Sequence, residues 1–243
     1  EYFSLYNGKR CTDQLCLSNP DVLKICIESM RKAMRENPDF MIYSMEQLDN
    51  MQPCQCQCEA CQDIISRYGG DSGIMVWFVN QVADAIKDEF PDKYVGTFAY
   101  RYTRHAPTGI VPRDNVVIRL CSIECCLLHD FEGCEMNQPF MKDLQDWSAI
   151  AKNLYIWDYA TDFSYYCLPV ANLRLLQPKI KAFCDHNAMG MLEQGDYQTR
   201  TCELKELRAY LVSKLMWNPD EDVEAIIKEF TDGYYGPAGK FIR

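Results

Sequence analysis

Acidic side chains recur in this sequence directly after short apolar runs. In the clearest case, the apolar run 188–192 leads into Glu193 and Gln194, with Tyr197 just beyond. Three earlier apolar runs lead in the same way into the acids Asp49, Glu124 and Asp158. A carboxylate at the end of a buried strand is aimed by a rigid backbone, unlike one in a mobile loop. The pattern therefore predicts a group of positioned carboxylates.

Paired carboxyl groups in an aromatic-lined site are the groups that cleave a glycosidic bond. One protonates the leaving oxygen, and the other attacks or stabilises positive charge at the anomeric carbon. We predict Glu193, Glu124 and Asp158 as catalytic residues, with the two glutamates as the working pair. The predicted substrate-binding residues are the nearby polar and aromatic ones: Asp49, Asn50, Tyr100, Arg119, Trp157, Tyr159, Gln194 and Tyr197. Arg119 is also expected to pair with Glu124 and keep it ionised.

The chain contains 14 cysteines, which is an unusual number. Cys56, Cys58 and Cys61 form a C-x-C-x-x-C cluster with the spacing of metal ligands, and Zn²⁺ needs a fourth ligand from elsewhere. The candidates for that ligand are Cys121, Cys125, Cys126 and Cys134. Disulfides or packed free thiols remain alternatives. A structural zinc is thus one of the expected roles of this cluster, and the predicted hydrolysis itself requires no cofactor.

The elements that must position these residues alternate along the chain. Apolar runs predict strands at 40–45, 94–100, 115–120, 154–159 and 188–192. Helical patterns lie between them, including one over 172–185 that Pro178 is expected to kink, and two more helices close the chain at 203–217 and 220–231. This alternation predicts an α/β fold with a parallel sheet.

Five such units are too few to close a barrel of eight strands. We therefore expect residues 1–243 to be a single (β/α) TIM-barrel-type domain that lacks its first strands. On this interpretation the chain is the C-terminal part of a longer barrel, since it begins with Glu1 rather than Met.

Composition excludes several classes of partner. The net charge of −10 argues against nucleic acid, whose phosphates require a cationic surface. No apolar run approaches the length of a membrane span, roughly 18 residues. Nucleotide-binding and serine-hydrolase fingerprints are absent from the sequence. An uncharged glycan or oligosaccharide is compatible with this acidic chain.

Several blocks of the sequence resemble one bacterial family. The blocks are residues 49–61, 119–126, 155–159, 193–195, 207–211 and 234–236. They are similar to the domain-of-unknown-function 4838 family of glycan-degrading bacteria, in which the domain often follows an α-glucuronidase-like one. The resemblance implies a glycoside-hydrolase-like TIM barrel, exported to the periplasm, cell surface or medium. Some relatives are endo-β-N-acetylglucosaminidases that act on N-glycans.

Three functions remain open at this stage. The first is a glycoside hydrolase that cleaves an N-acetylglucosamine-containing N-glycan or a plant or host polysaccharide. The second is a carbohydrate-binding barrel without catalysis, which would keep the aromatic residues but would not need paired acids. The third is a metal-stabilised scaffold domain, which the cysteines alone would predict.

Overall fold

The computed structural model describes residues 1–49 and 55–243. Asn50, one of the predicted substrate-binding residues, and Cys54 lie outside the described residues. The chain divides into two compact units. Unit 1 comprises residues 1–121 and 145–155, and unit 2 comprises residues 122–144 and 156–243.

Five strands form the main sheet in the order β3-β4-β5-β6-β7. Their bounds are β3 Ile42–Ser44, β4 Tyr94–Ala99, β5 Val116–Cys121, β6 Leu154–Tyr159 and β7 Ala188–Gln194. The sheet is parallel, so the predicted α/β class is confirmed. Sequential strand order is that of a (β/α) barrel, whereas a doubly wound sheet reverses direction at a switch point. The described strands correspond to part of such a barrel, and these five strands do not form a closed barrel.

A two-stranded antiparallel hairpin precedes this sheet and was not predicted. Strands β1 (Phe3–Tyr6) and β2 (Lys9–Leu15) are joined at Asn7 and Gly8, both of which have positive φ angles. An Asn-Gly pair is the turn that a tight hairpin prefers. β2 was overlooked because its sequence, KRCTDQL, is mostly polar and its side chains are largely exposed.

Eight helices occur in the described residues. They are α1 Pro20–Glu36, α2 Glu59–Tyr68, α3 Asp71–Ile86, α4 Gln138–Ile150, α5 Leu176–Asp185, α6 Lys205–Trp217, α7 Val223–Tyr235 and α8 Gly239–Ile242. α1 begins after Asn19, whose side chain accepts hydrogen bonds from two backbone N–H groups of the first turn. α2 was not predicted. None of the helices in the described part of the chain is long and apolar enough to cross a membrane.

The helix predicted over 172–185 is shorter than expected. A single 3₁₀ turn covers Leu173–Leu175, and α5 then starts at Leu176. Pro178 therefore lies in the first turn, where its missing N–H is not needed, so the predicted mid-helix kink was wrong. The core of unit 2 packs α5, α6 and α7 together through Ile180, Leu211 and Ile227 and related apolar residues.

Candidate functional site

Side chains on β6 and β7 alternate between two faces of the sheet. Asp158 follows the buried Leu154 and Ile156 at a spacing of two, and Lys179 of α5 reaches it, so this face meets the helices. Glu193 is on the same face, because it interacts with Asp158, Lys179 and Arg208 of α6. On the other face, Trp157 Nε1 donates a hydrogen bond of 2.7 Å to Gln194 Oε1.

This alternation corrects one expectation. We expected Trp157 and Tyr159 to line the same site as the catalytic pair, but they belong to the opposite face from Glu193. A strand turns successive side chains to opposite faces, so Trp157 and Asp158 cannot line the same surface. The helices, not these aromatics, shield Glu193.

Asp158 is held firmly in the interior of unit 2. Its side chain is 1% exposed, and Lys179 Nζ lies 2.6 Å from Asp158 Oδ2. The Ser122 hydroxyl donates a hydrogen bond to the other oxygen, Oδ1. Burial alone would lower the pKa of Lys179, but Asp158 and Glu193 outweigh it and raise that pKa. Lys179 therefore stays charged and fixes the orientation of Asp158.

Glu193 has a strongly perturbed carboxyl group. Both of its oxygens are shut off from solvent, and no hydrogen-bond donor faces either of them among the described residues. Burial, and next the negative charge of Asp158, raise the pKa of Glu193 well above its ordinary value. Lys179 and Arg208 oppose this rise only in part. A protonated Glu193 can donate its proton to the Asp158 carboxylate, which satisfies both groups.

The charge balance of this region also favours a neutral Glu193. Arg208 is 5% exposed, donates to Asn172 and lies 2.5 Å from Glu203 Oε2. Two cations, Lys179 and Arg208, thus already balance two anions, Asp158 and Glu203. A third buried anion would be uncompensated, and an uncompensated buried charge is costly. Glu193 is the one remaining carboxyl group of these residues, so it is the one that stays neutral.

A cavity of about 120 Å³ opens beside Glu193 at the end of β7. Its lining includes Gly195 and Asp196, which follow the strand directly, together with Thr161 and side chains of α6. The next residue, Tyr197, is 66% exposed and belongs to an aromatic cluster centred on Phe163. The other members of this cluster are Tyr159 and Tyr166. Unit 2 therefore has a neutral acid in a cavity that is followed, one residue further along the chain, by the exposed ring of Tyr197.

Arg119 pairs with Glu46 in unit 1. Its Nη1 lies 2.5 Å from Glu46 Oε1 and donates a 3.0 Å hydrogen bond to Ser44 Oγ. Gly96 leaves the space for this, because a Cβ there would approach both Ile42 and the Arg119 guanidinium. We expected Arg119 to pair with Glu124. The short sequence distance favoured that choice, whereas the sheet register brings β3 and β5 to opposite sides of Gly96.

The remaining predicted residues lie in different surroundings. Glu124 is exposed in a turn three residues beyond β5, and Asp49 is exposed beyond β3. Tyr100 is buried at the end of β4, and burial, with a contribution from Asp49, raises the pKa of its hydroxyl to about 12. Glu46 was not among the predicted site residues, yet burial raises its pKa against the effect of Arg119. The apolar residues Ile42 and Tyr43, which precede Glu46, were the only sequence signal for this residue.

Four cysteines converge in unit 1. The sulfur atoms of Cys16, Cys56, Cys58 and Cys61 all lie within 4.8 Å of one another. The fourth thiol is thus Cys16, at the end of the hairpin, and not one of the four cysteines that we had considered. Sequence separation concealed it, because the pairing of β1 with β2 brings residue 16 back to the cluster. Every cysteine in the described residues is a free thiol.

A second group of possible metal ligands lies in unit 2. Cys126, His129 and Cys134 have ligand atoms within 4.8 Å, with Cys126 Sγ 3.2 Å from His129 Nδ1. The buried Asn137 organises their loop by bonding to the backbone at Cys126, His129 and Asp130. His129 was not among the residues predicted from the sequence to bind metal.

A larger cavity, about 250 Å³, lies in unit 1. Its lining is mostly apolar and includes Phe78 and Met75, with Glu46 and Asp71 at its polar part. Glu46 is already paired with Arg119, whereas Glu193 is an unpaired acid that lines a cavity. A perturbed titratable group in a cleft marks a functional site better than volume does. We therefore place the candidate site at Glu193.

Two solved glycosidases have a similar fold. A beta-N-acetylhexosaminidase from Bacteroides fragilis NCTC 9343 is 12% identical with a TM-score of 0.55, and the match covers 98% of this chain and 49% of the enzyme. A chitobiase from Flavobacterium johnsoniae is 15% identical with a TM-score of 0.53, and the match covers 94% and 35%. The protein thus has a glycoside-hydrolase-like fold and spans half or less of these enzymes.

The sequence also matches a family model over residues 1–243. The chain belongs to the family described as Domain of unknown function (DUF4838), which confirms the resemblance found in the sequence. No curated protein matches the chain.

Proposed function

We propose that this chain is the C-terminal part of a single-domain glycoside hydrolase barrel, with Glu193 as its proton donor. One observation carries the proposal. Glu193 is a carboxyl group that burial and a neighbouring carboxylate keep neutral, and it lines a cavity at the end of a sheet strand. Glycosidases need such an acid, because the departing sugar oxygen must be protonated near neutral pH.

Asp158 assists this acid without touching substrate. It is almost fully buried and bonded to Lys179 and Ser122, so its charge acts on Glu193 from a fixed position. Replacing that charge would lower the pKa of Glu193 and reduce the fraction of enzyme that carries the proton. Asp158 is in this sense a positioning residue.

Glu124 is the proposed second carboxylate. It is exposed in the turn after β5, where solvent and a sugar can reach its carboxylate. In glycosidases a separation of about 5–5.5 Å between the two carboxyl groups gives retention, and about 6.5–9.5 Å gives inversion. The stereochemistry of the product, measured by NMR, therefore reports the working distance between Glu124 and Glu193.

The proposed substrate is a glycan that contains an N-acetylhexosamine. Two solved structures of similar fold are named as a beta-N-acetylhexosaminidase and a chitobiase. Tyr197 offers an exposed ring for stacking a sugar, one residue from the cavity that holds Glu193. Family resemblance further supports an exported location, where such glycans occur.

A carbohydrate-binding domain without catalysis is the second candidate. The cavity of about 120 Å³ favours it, since pockets that enclose a ligand usually measure about 300–1,000 Å³. On this alternative the aromatic cluster around Phe163 binds sugar, and Glu193 only balances buried charge.

The test compares leaving groups, using the longest natural protein that contains this chain. Glycosides of the same sugar are prepared with a poor leaving group and with an activated aryl leaving group. Glu193→Gln should lower kcat by about 10²–10⁴ on the poor leaving group, which is the usual worth of acid–base catalysis. It should have a much smaller effect on the activated one, which departs without a proton. The matched control is Glu206→Gln, at an exposed acid of α6.

Each result has a clear meaning. A loss limited to the poor leaving group, together with loss of the basic limb of the pH profile, supports Glu193 as the acid. Equal losses on both substrates would contradict that role. Glycan binding with no turnover in the wild-type protein would favour the binding domain.

A further inference from the structure

We propose that Cys16, Cys56, Cys58 and Cys61 form a structural zinc site with four thiolate ligands. The site is separate from the proposed hydrolytic chemistry, since all four residues belong to unit 1 and Glu193 belongs to unit 2. It would connect the hairpin to the start of α2.

The sulfur positions fit one tetrahedral ion. The Cys16 Sγ lies 3.7 Å from the Cys58 Sγ and 3.8 Å from the Cys61 Sγ. A tetrahedral zinc ion with Zn–S bonds of about 2.3 Å holds its sulfur atoms about 3.8 Å apart. A disulfide would require about 2.05 Å, and a cluster of several iron atoms would spread the sulfurs further. The separations therefore favour a single ion.

The surroundings of the sulfur atoms are those of a ligand set. The backbone N–H of Leu5 donates to the Cys56 Sγ at 3.2 Å, and Ser18 Oγ lies 3.1 Å from the Cys61 Sγ. Ser18 Oγ also lies 3.6 Å from the Cys58 Sγ. Donors of this kind stabilise thiolates and orient them toward a metal.

Water has little access to the cluster. Cys16, Cys56 and Cys61 are 5%, 6% and 0% exposed, and Ile74 and other apolar side chains surround them. A dry shell favours a closed, four-coordinate structural site over a catalytic one with an open position. Uncompensated thiolates would be costly there, and a bound cation removes that cost.

The site would link parts of the chain that are distant in sequence. Cys16 ends the hairpin, whereas Cys56, Cys58 and Cys61 precede and enter α2. The hairpin also meets this segment through Gln57, whose backbone N–H donates to the Leu5 carbonyl at 2.7 Å. Zinc would fix this contact, so its removal should loosen the hairpin first.

Elemental analysis of the full chain, purified with reductant and without added metal, is the primary test. We expect the wild-type protein to contain zinc. The zinc content should fall by about one ion per chain in Cys58→Ser and in Cys61→Ser. Cys11→Ser is the matched control, since Cys11 is a half-buried thiol of the same hairpin outside the cluster. His129→Ala removes the second ligand group, so a zinc ion bound there is counted separately.

A spectroscopic test covers variants that do not fold. Wild-type protein stripped of metal and loaded with Co²⁺ should show thiolate-to-metal charge-transfer bands and the visible bands of tetrahedral cobalt. Those bands support the proposal even if the serine variants are insoluble. Wild-type protein without zinc, iron in place of zinc, two disulfides among the four cysteines, or zinc content unchanged in both serine variants would each overturn it.

Discussion

Glu193→Gln should slow the proposed enzyme on substrates with a poor leaving group and, at the same time, make the protein more stable than the wild type as the pH rises. Burial and Asp158 raise the pKa of Glu193, so the folded protein holds this proton more tightly than the unfolded chain. The stabilising effect of that proton is complete below the unfolded pKa, about 4.3. It is lost as the pH rises toward the folded pKa. Glutamine stays neutral at every pH and avoids the loss.

The size of the effect follows from proton linkage. Within the window between the two pKa values, the variant should gain on the wild type by up to about 1.4 kcal/mol per pH unit, a tenfold change in the unfolding equilibrium. The amide also suits the site, because its NH₂ group can donate to the Asp158 carboxylate in place of the protonated acid.

Urea denaturation of both proteins from about pH 4 to about pH 9 measures this difference. Subtracting the two curves cancels every group that they share. Glu206→Gln, at an exposed glutamate of α6, is the matched control for the change from acid to amide. A Glu193→Gln difference that does not vary with pH would refute a raised pKa at Glu193, and with it the proposed proton donor.

Three further predictions concern ion pairs and substrate contacts. Lys179→Met should lower the free energy of unfolding by about 3–5 kcal/mol, because a buried carboxylate loses its partner. Lys181→Met, which removes an exposed pair on the same helix, should cost only about 0–1 kcal/mol by denaturation, and equal losses would contradict the reasoning. Tyr197→Ala should raise KM or weaken glycan binding by calorimetry while leaving the thermal midpoint unchanged, since the ring is exposed. Arg119→Met should raise the pKa of Glu46 further, so NMR titration should detect its carboxyl protonated at higher pH than in the wild type.

The parallel sheet and the metal-ligand cluster could be predicted in part from local sequence. The strand predicted at 115–120 was recognised because a strand buried on both faces is mostly apolar, and Arg119 is the one charged residue of β5. The cluster of Cys56, Cys58 and Cys61 was visible because ligands so close in sequence must share a neighbourhood. Cys16 was not visible, because its approach depends on the mostly polar hairpin.

The chemistry of the candidate site could likewise be predicted only in part from local sequence. Sequence indicated that Glu193 and Asp158 lie at strand ends, but the partner of each came from helices distant in sequence. Lys179 looked like an ordinary helix lysine, although it is 3% exposed and paired with Asp158. Only packing of α5 on the sheet makes that charge part of the site.

The sequence by itself determined the family, the α/β class and the strands that bear carboxylates. These properties depend on local patterns of apolar and polar residues, which neighbouring positions carry in full. The tertiary structure decided that Arg119 pairs with Glu46, that Cys16 completes the thiol cluster, and that Glu193 faces the helices and not Trp157. Those outcomes depend on strand register and helix packing, because these bring together groups that lie tens of residues apart in the sequence. The same packing sets the local dielectric, which determines the protonation of the buried groups.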